Sequence, residues 1–295
     1  MKTPTLLLAS LLVLPACGKK KDDGGTAAPP ATGSAKAPGS AAMPAKPDLP
    51  PPPADAAKGQ TRLVNLYLDA DGKTQDVDVW AKRSFQYGPV KLTSGVGYGK
   101  VSEPFGIPTG MSTVVIKAGA SVDDKAAEVG GLFGTKDGEK ALGFFYFSDG
   151  APSVAHLPEV GGDQALVPPP AGKGLVVLNA GQPRAFAEQL TATVGSESYY
   201  VGDGSKTCRH QRIEDKKAPS GQPYQAMILG GTQRPEFEVE PGKAKFTLHK
   251  WPGKQCETEP VFEFELDVAA GQGVWGFVHT PDKAKLEILS LPIAL

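Results

Sequence analysis

Residues 62–80 read Arg62-Leu63-Val64-Asn65-Leu66-Tyr67-Leu68, then Asp69-Ala70-Asp71-Gly72-Lys73-Thr74-Gln75, then Asp76-Val77-Asp78-Val79-Trp80. Val64, Leu66 and Leu68 recur at every second position, the period of a strand with one buried face. Asp69-Ala70-Asp71-Gly72 is a turn signal, because Asp and Gly accept backbone conformations that most residues resist. The alternation then resumes over Asp76–Trp80. Strand, turn and strand in one short stretch set an all-β expectation.

Working outward, further runs of strand character fall at Phe85–Tyr87, Val96–Val101, Ser112–Ala118, Leu142–Ser148 and Ser153–Leu157, with turns between them. Short strands so spaced, without long helical periodicity, indicate a β-sandwich. After Gly161-Gly162 and Pro168-Pro169-Pro170 the pattern restarts. Gly174-Leu175-Val176-Val177-Leu178-Asn179 echoes the first strand, with Asn179 in the place of Asn65. Asp76–Trp80 is matched by Leu190–Val194. Phe105–Gly110 and the following Thr113–Ile116 are matched by Phe237–Gly242 and Lys245–Leu248. Leu142-Gly143-Phe144 through Asp149 and Ala151 lines up with Trp275-Gly276-Phe277 through Asp282 and Ala284, and Leu157-Pro158 with Leu291-Pro292. The order is kept throughout, which reads as two tandem β-sandwich modules, residues 60–165 and 172–295. The second carries an insertion near Cys208–Gln225, and Gln182–Gln189 reads equally as a short helix opening at Pro183.

Before the first module, residues 17–59 are Lys, Asp, Gly, Ala and Pro with almost nothing large and apolar. Such a stretch buries too little surface to offset its ordering entropy, so it is expected to be a disordered tether. At the start, Met1 and Lys2 precede an apolar run from Leu6 to Leu14, too short for a membrane span and built like a signal-peptide core over residues 1–16. Leu14-Pro15-Ala16-Cys17 resembles the lipobox of bacterial lipoproteins. The resemblance implies that Cys17 is lipidated and holds the chain at a membrane of the cell envelope. Gly18 implies the outer membrane, facing the periplasm or the cell surface.

The net charge of −1 over 295 residues gives no reason to expect a nucleic-acid partner. An envelope protein is the partner to look for. Three cysteines are present. Past Cys17, the pair Cys208 and Cys256 in an oxidising compartment reads first as a disulfide. With His210 and His249 it also has the composition of a zinc site, although the spacing fits no zinc motif.

Arg62-Leu63-Val64-Asn65, Asp69-Ala70, Asp76-Val77-Asp78-Val79, Gly97-Tyr98-Gly99-Lys100-Val101 and Pro108-Thr109-Gly110 together resemble domain-of-unknown-function family 4397. The likeness covers residues 60–120 well and the second module faintly. It implies immunoglobulin/transthyretin-like β-sandwich modules, often in tandem, in secreted or anchored bacterial proteins with no assigned activity.

Asp69, Asp71, Asp76 and Asp78 form the densest carboxylate group. They read first as turn and solvent-facing residues and second as a calcium site, since calcium takes several oxygens. Gly202–Thr207 reads as a hairpin tip; it lacks the spacing of a phosphate loop. His156 and His279 are isolated. Trp80, Tyr87, Tyr98, Trp251 and Trp275 suit a sandwich core or, alternatively, a carbohydrate or partner groove. No nucleophile or metalloprotease motif stands in the chain, and no cofactor is implied. The expectation is a non-enzymatic structural or interaction protein. The alternatives are a module for a small ligand, sugar or calcium, and third a hydrolase with an unrecognised site.

Overall fold

The structure is a computed structural model that describes residues 49–295, apart from 70, 83, 85, 133, 149–150, 162–164, 181–197, 204, 206, 210–226, 229–233, 252–254 and 282–284. The leader, Cys17, Leu190–Val194, Gln182–Gln189, His210 and most of Cys208–Gln225 therefore lie outside the described residues, as do Asp149, Asp282 and Ala284.

The described chain is all-β. The first module runs β1 (Gln60–Asn65), β2 (Val77–Lys82), β3 (Val90–Val96), β4 (Lys100–Val101), β5 (Ser112–Lys117), β6 (Glu128–Gly130), β7 (Lys140–Ser148) and β8 (Ala151–Val160). The second runs β9 (Gly174–Ala180), β10 (Ser198–Gly202), β11 (Met227–Ile228), β12 (Glu236–Val239), β13 (Gly242–Trp251), β14 (Phe262–Val268), β15 (Gly273–His279) and β16 (Glu287–Pro292). One sheet of each sandwich has the order β4-β1-β7-β8 or β12-β9-β15-β16; the other has β3-β2-β5-β6 or β11-β10-β13-β14. Each strand of the second module thus holds the position of the strand eight places earlier. Both copies share an uncommon feature, a parallel pair (β1 with β7, β9 with β15) inside mostly antiparallel sheets.

Registers fix which residues are equivalent. Leu63 pairs with Gly143 as Leu178 pairs with Gly276. Leu142 pairs with Leu157 as Trp275 pairs with Leu291. Thr61 bridges Phe105 as Val176 pairs with Phe237. Two correspondences read from the sequence are therefore one residue out. Asn65 matches Ala180, and Asn179 matches Val64. Similarly, Val115 points into its sandwich, as Phe246 and Leu248 do, while Thr247 does not. Side chains alternate faces, so a slip of one residue inverts every assignment in a strand.

Several expected strands also change. Gln86 and Tyr87 lie in a bend, and the run Val96–Val101 is broken between β3 and β4 by a turn, in which Lys100 N–H donates to Gly97 O at 3.1 Å. Gly99 in that turn takes φ 68°, a left-handed conformation that suits glycine. β3, with its Thr, Ser and Gly, was too polar to stand out.

Residues 49–59, expected within a disordered tether, instead form a strap along the first module. Gly88 N–H donates to Pro50 O at 2.9 Å, Thr109 N–H donates to Ala56 O at 3.0 Å, and Gly138 N–H donates to Lys58 O at 3.0 Å. These are backbone bonds, which a reading based on side-chain hydrophobicity cannot see. Gly106 is needed beneath the strap, since a Cβ there would stand 2.4 Å from Ala57 Cβ. At the far end of the module, Leu166 joins the core and donates its N–H to Glu159 O. Among the described residues no helix is long and apolar enough to cross a membrane.

The two sandwiches share a core. Leu63, Val79, Val115 and Phe145 lie in the same buried cluster as Leu175, Val177, Trp275, Phe277, Leu291 and Ile293 of the second module. The second sandwich keeps its own interior of Val176, Leu178, Phe246, Leu248 and Leu266. Sheets β4-β1-β7-β8 and β12-β9-β15-β16 are thus buried on both faces, one against their own sandwich and the other against each other. This explains why β7, β9 and β15 read as near-continuous apolar runs, as strands covered on both sides do.

Candidate functional site: the seam between the modules

Alternation along β7 and β15 aims Leu142 and Phe144 from one side, and Trp275 and Phe277 from the other, into the seam. The phenyl rings of Phe144 and Phe277 lie 5.1 Å apart, and Trp275 stacks 5.5 Å from Phe277. The glycines between these aromatics belong to the inner faces. A Cβ on Gly143 would come within 2.5 Å of Leu132 Cδ2, and one on Gly276 within 2.6 Å of Leu178 Cδ2. A large residue at either place would force the two faces of its sheet apart.

A buried charge sits in this apolar seam. Glu159, 1% exposed, lies at an irregularity where the β7–β8 register shifts, and such a bulge re-aims a side chain. Arg62 Nη2 donates to Glu159 Oε1 at 2.8 Å and to Oε2 at 3.0 Å. Trp275 Nε1 donates to the same Oε1 at 2.8 Å. Arg62 Nη2 also donates to Pro292 O at 3.0 Å, and in return Arg234 Nη1 donates to Pro158 O at 3.0 Å. Pro158 and Pro292 are equivalent positions, so each module caps the same carbonyl of the other with an arginine. The donors themselves come from different places, Arg62 from β1 and Arg234 from the segment just before β12.

Beside Arg62 and Glu159 the seam opens into a cavity of about 240 Å³, bounded also by Gln60, Lys140, Ala141 and Ala294. A wider depression of about 490 Å³ lies near β6, beside Tyr67, Lys117 and Glu128. A further polar contact crosses the seam where the Tyr98 hydroxyl meets His279 Nδ1 at 3.0 Å. Burial holds His279 below its ordinary value of 6.5 against the upward pull of Glu287. Burial, helped by Glu287, raises the Tyr98 hydroxyl. His156 is likewise held down by burial, and its Nε2 has no hydrogen-bond partner among the described residues.

The sequence-derived sites fall elsewhere. Asp78 was expected to meet solvent with Asp76, but it is 2% exposed. Lys91 Nζ donates to its Oδ2 at 2.9 Å and Gly95 N–H to its Oδ1 at 2.8 Å. Burial pushes the Asp78 carboxyl up, but these donors and Gly119 N–H outweigh it and leave it below its ordinary 3.8. Asp69 closes its own turn by accepting from the N–H groups of Asp71 and Lys73 and from Gln75 Nε2. Burial raises Asp69 as well, and the same donors bring it below 3.8. Asp71 and Asp76 are exposed. Among the described residues no group of three or more His, Cys, Asp or Glu side chains is placed to hold a metal.

Cys208 and Cys256 are joined, with Cα atoms 5.2 Å apart, which takes both sulfurs out of the alternative zinc set. The ends of Gly202–Thr207 pair as a hairpin's do: Gly202 bridges Cys208 and Asp203 N–H donates to Thr207 O. Among the described side chains, which leave out that of Trp251, the aromatics do not form one groove. Trp275 is fully buried, Tyr98 lies against His279, and Trp80 packs on the small outer cluster of Val114, Ile116 and Val122 beneath Lys91. Arg62 and Glu159 were missed. Their one signal was a charge at an inward-facing position of an apolar strand.

No family model matches the chain, and no curated protein does. Among solved structures it is similar to the family CBM26 module CBMbc of Eubacterium rectale Amy13K in complex with maltoheptaose, at 8% identity, over 80% of this chain and 98% of that one, with a TM-score of 0.20. It is similar to the tip fimbrial protein Mfa3 of Porphyromonas gingivalis at 9% identity, over 79% and 98%, with a TM-score of 0.20. The Bacillus anthracis TIE protein matches at 10% identity over 76% of this chain and 34% of that one, with a TM-score of 0.19. Superpositions at this level carry no argument about role.

Proposed function

We propose that this chain is a lipid-anchored protein of the cell envelope, held through Cys17, whose fused sandwiches act as one rigid, non-enzymatic structural or interaction body. The observation that carries the proposal is the shared core. Two modules joined face to face through Phe144, Phe277 and the Arg62–Glu159–Trp275 node present one surface in fixed orientation, which suits a spacer or docking platform. The Leu14–Cys17 stretch supports the anchor, and the likeness of residues 60–120 to family 4397 fits an exported module. The disulfide suits an oxidising compartment.

The test compares wild type with Cys17→Ser. Wild type is expected in the membrane fraction, labelled by radioactive palmitate and recovering a defined envelope partner after cross-linking. Cys17→Ser is expected to lose both label and membrane. An unlabelled wild-type chain in the cytosol, with its N-terminus uncut, refutes the placement. The second reading, a small-ligand module, draws on the seam cavity.

A further inference from the structure

The repeat provides an internal comparison for the seam cavity. Four of the residues around it have counterparts at the other end of the seam. By register Gln60 stands where Leu175 stands, Arg62 where Val177 and Lys140 where Gly273, and Glu159 follows Pro158 as Ile293 follows the equivalent Pro292. In the second module that place is filled and apolar. A Cβ on Gly273 would meet Ile293 Cδ1 at 2.9 Å and Leu295 Cδ1 at 3.0 Å, and Val177 and Ile293 are core residues. In the first module the same backbone positions carry two cations, a carboxylate and an amide around open space. Closing the hole with apolar side chains is the solution the fold adopts elsewhere in this chain. Keeping it open costs packing and burial of a charge.

What the cavity offers is set by which groups are already engaged. Both oxygens of Glu159 are held by Arg62, and one also by Trp275. Among the described residues all of Arg62's side-chain hydrogen bonds run through Nη2, so Nε and Nη1 remain as donors. Lys140 is exposed and joins no ion pair among the described residues. The lining therefore has one net positive charge and spare charged donors, with Ala141 and Ala294 as apolar wall. Pockets for drug-sized molecules run to about 300–1,000 Å³, so a cavity of about 240 Å³ takes something smaller.

We infer that the seam cavity is a binding site for a small organic carboxylate with a compact apolar body, its anion against Arg62 and Lys140 and its apolar part against Ala141 and Ala294. The inference gives the interaction body a ligand, but it does not depend on the anchor, because every lining residue belongs to the folded modules.

The test is an amide NMR titration of the full chain with isovalerate, with its neutral isostere isovaleramide and with inorganic phosphate. Wild type is expected to bind isovalerate with shifts centred on Ala141 and Ala294, and isovaleramide roughly tenfold more weakly or less. Lys140→Glu, at an exposed position, is expected to weaken isovalerate by roughly tenfold or more, while Lys245→Glu on another surface leaves it unchanged. Lys140→Gln asks the same question if the charge reversal disturbs β7. Absence of isovalerate binding overturns the inference, as does equal binding of the amide or insensitivity to Lys140. Equal loss in Lys245→Glu or binding of phosphate alone also overturns it. Binding by a cytosolic, unacylated chain refutes the anchor and leaves the site standing; an anchored chain that binds nothing does the reverse.

Discussion

Phe144 and Phe277 occupy equivalent positions in their two sheets and meet ring to ring, 5.1 Å apart, across the seam. A residue that touches its own counterpart lies on a local two-fold relationship, as at the centre of an isologous dimer interface. The Arg62–Glu159 end of the seam and its apolar counterpart break that symmetry.

Phe144→Ala or Phe277→Ala is expected to cost ~3–5 kcal/mol, since each opens a cavity in a shared core. The double variant should cost less than the sum of the two, because the rings contact each other. Wild type should unfold in one cooperative step by denaturant, with circular dichroism and tryptophan fluorescence coincident. Two separated wild-type transitions would show that the seam does not couple the modules.

Glu159→Ala is expected to destabilise by about 3 kcal/mol, because it strands Arg62 and the indole N–H of Trp275 in the seam. Replacing Arg62 and Glu159 together by Met should recover most of that loss, since apolar residues of similar volume commonly do as well as a buried ion pair. Equilibrium urea melts of the two variants check both expectations.

Acid should weaken the fold in two stages. The folded state holds His279 below its ordinary 6.5, so the unfolded chain takes up that proton first. The stability it contributes is complete above pH 6.5 and is lost as pH falls from there through the folded value. His156 is depressed too and adds to this stage. Below pH 3.8 the depressed carboxyls of Asp78 and Asp69 lose their contribution in the same sense. Thermal midpoints against pH should flatten in the upper window for His279→Gln and in the lower one for Asp78→Asn.

Reduction of Cys208–Cys256, which are 48 residues apart, should cost ~4 kcal/mol on the chain-entropy account. Denaturation with and without reductant measures it, and Cys208→Ala with Cys256→Ala should reproduce the reduced value.

Gly106→Ala is expected to lift the strap, because the new methyl would occupy the place of Ala57 Cβ. Hydrogen exchange at Ala56 and Thr109 should accelerate while β1 and β7 stay protected.

Much of the architecture was legible because period-two alternation and turn residues are local signals. The strands at Arg62, Asp76, Ser112, Leu142 and Gly174, and the idea of a repeat, came from them. Register did not, since Asn65 and Asn179 look alike in sequence yet face opposite ways in their sheets. Face assignment depends on which neighbour a strand meets, and that neighbour is distant in the chain. The cavity was invisible for the same reason. Gln60, Lys140 and Ala294 come together only after β1 pairs with β7 and the second module docks. Asp78 misled because alternating Asp and Val suggests a wet face, whereas Lys91, the β3 amide of Gly95 and the turn amide of Gly119 hold the carboxylate.

The parallel pairing of β1 with β7 sets a timetable for folding. Gln60 pairs with Lys140, and β9 in turn waits for β15. At synthesis rates of about 5–20 residues per second, the opening strand of each module stays without its central neighbour for seconds. Loop closure over such distances slows pairing further. A nascent chain of this kind leaves the apolar residues of its opening strands uncovered until the last hairpin of each module arrives.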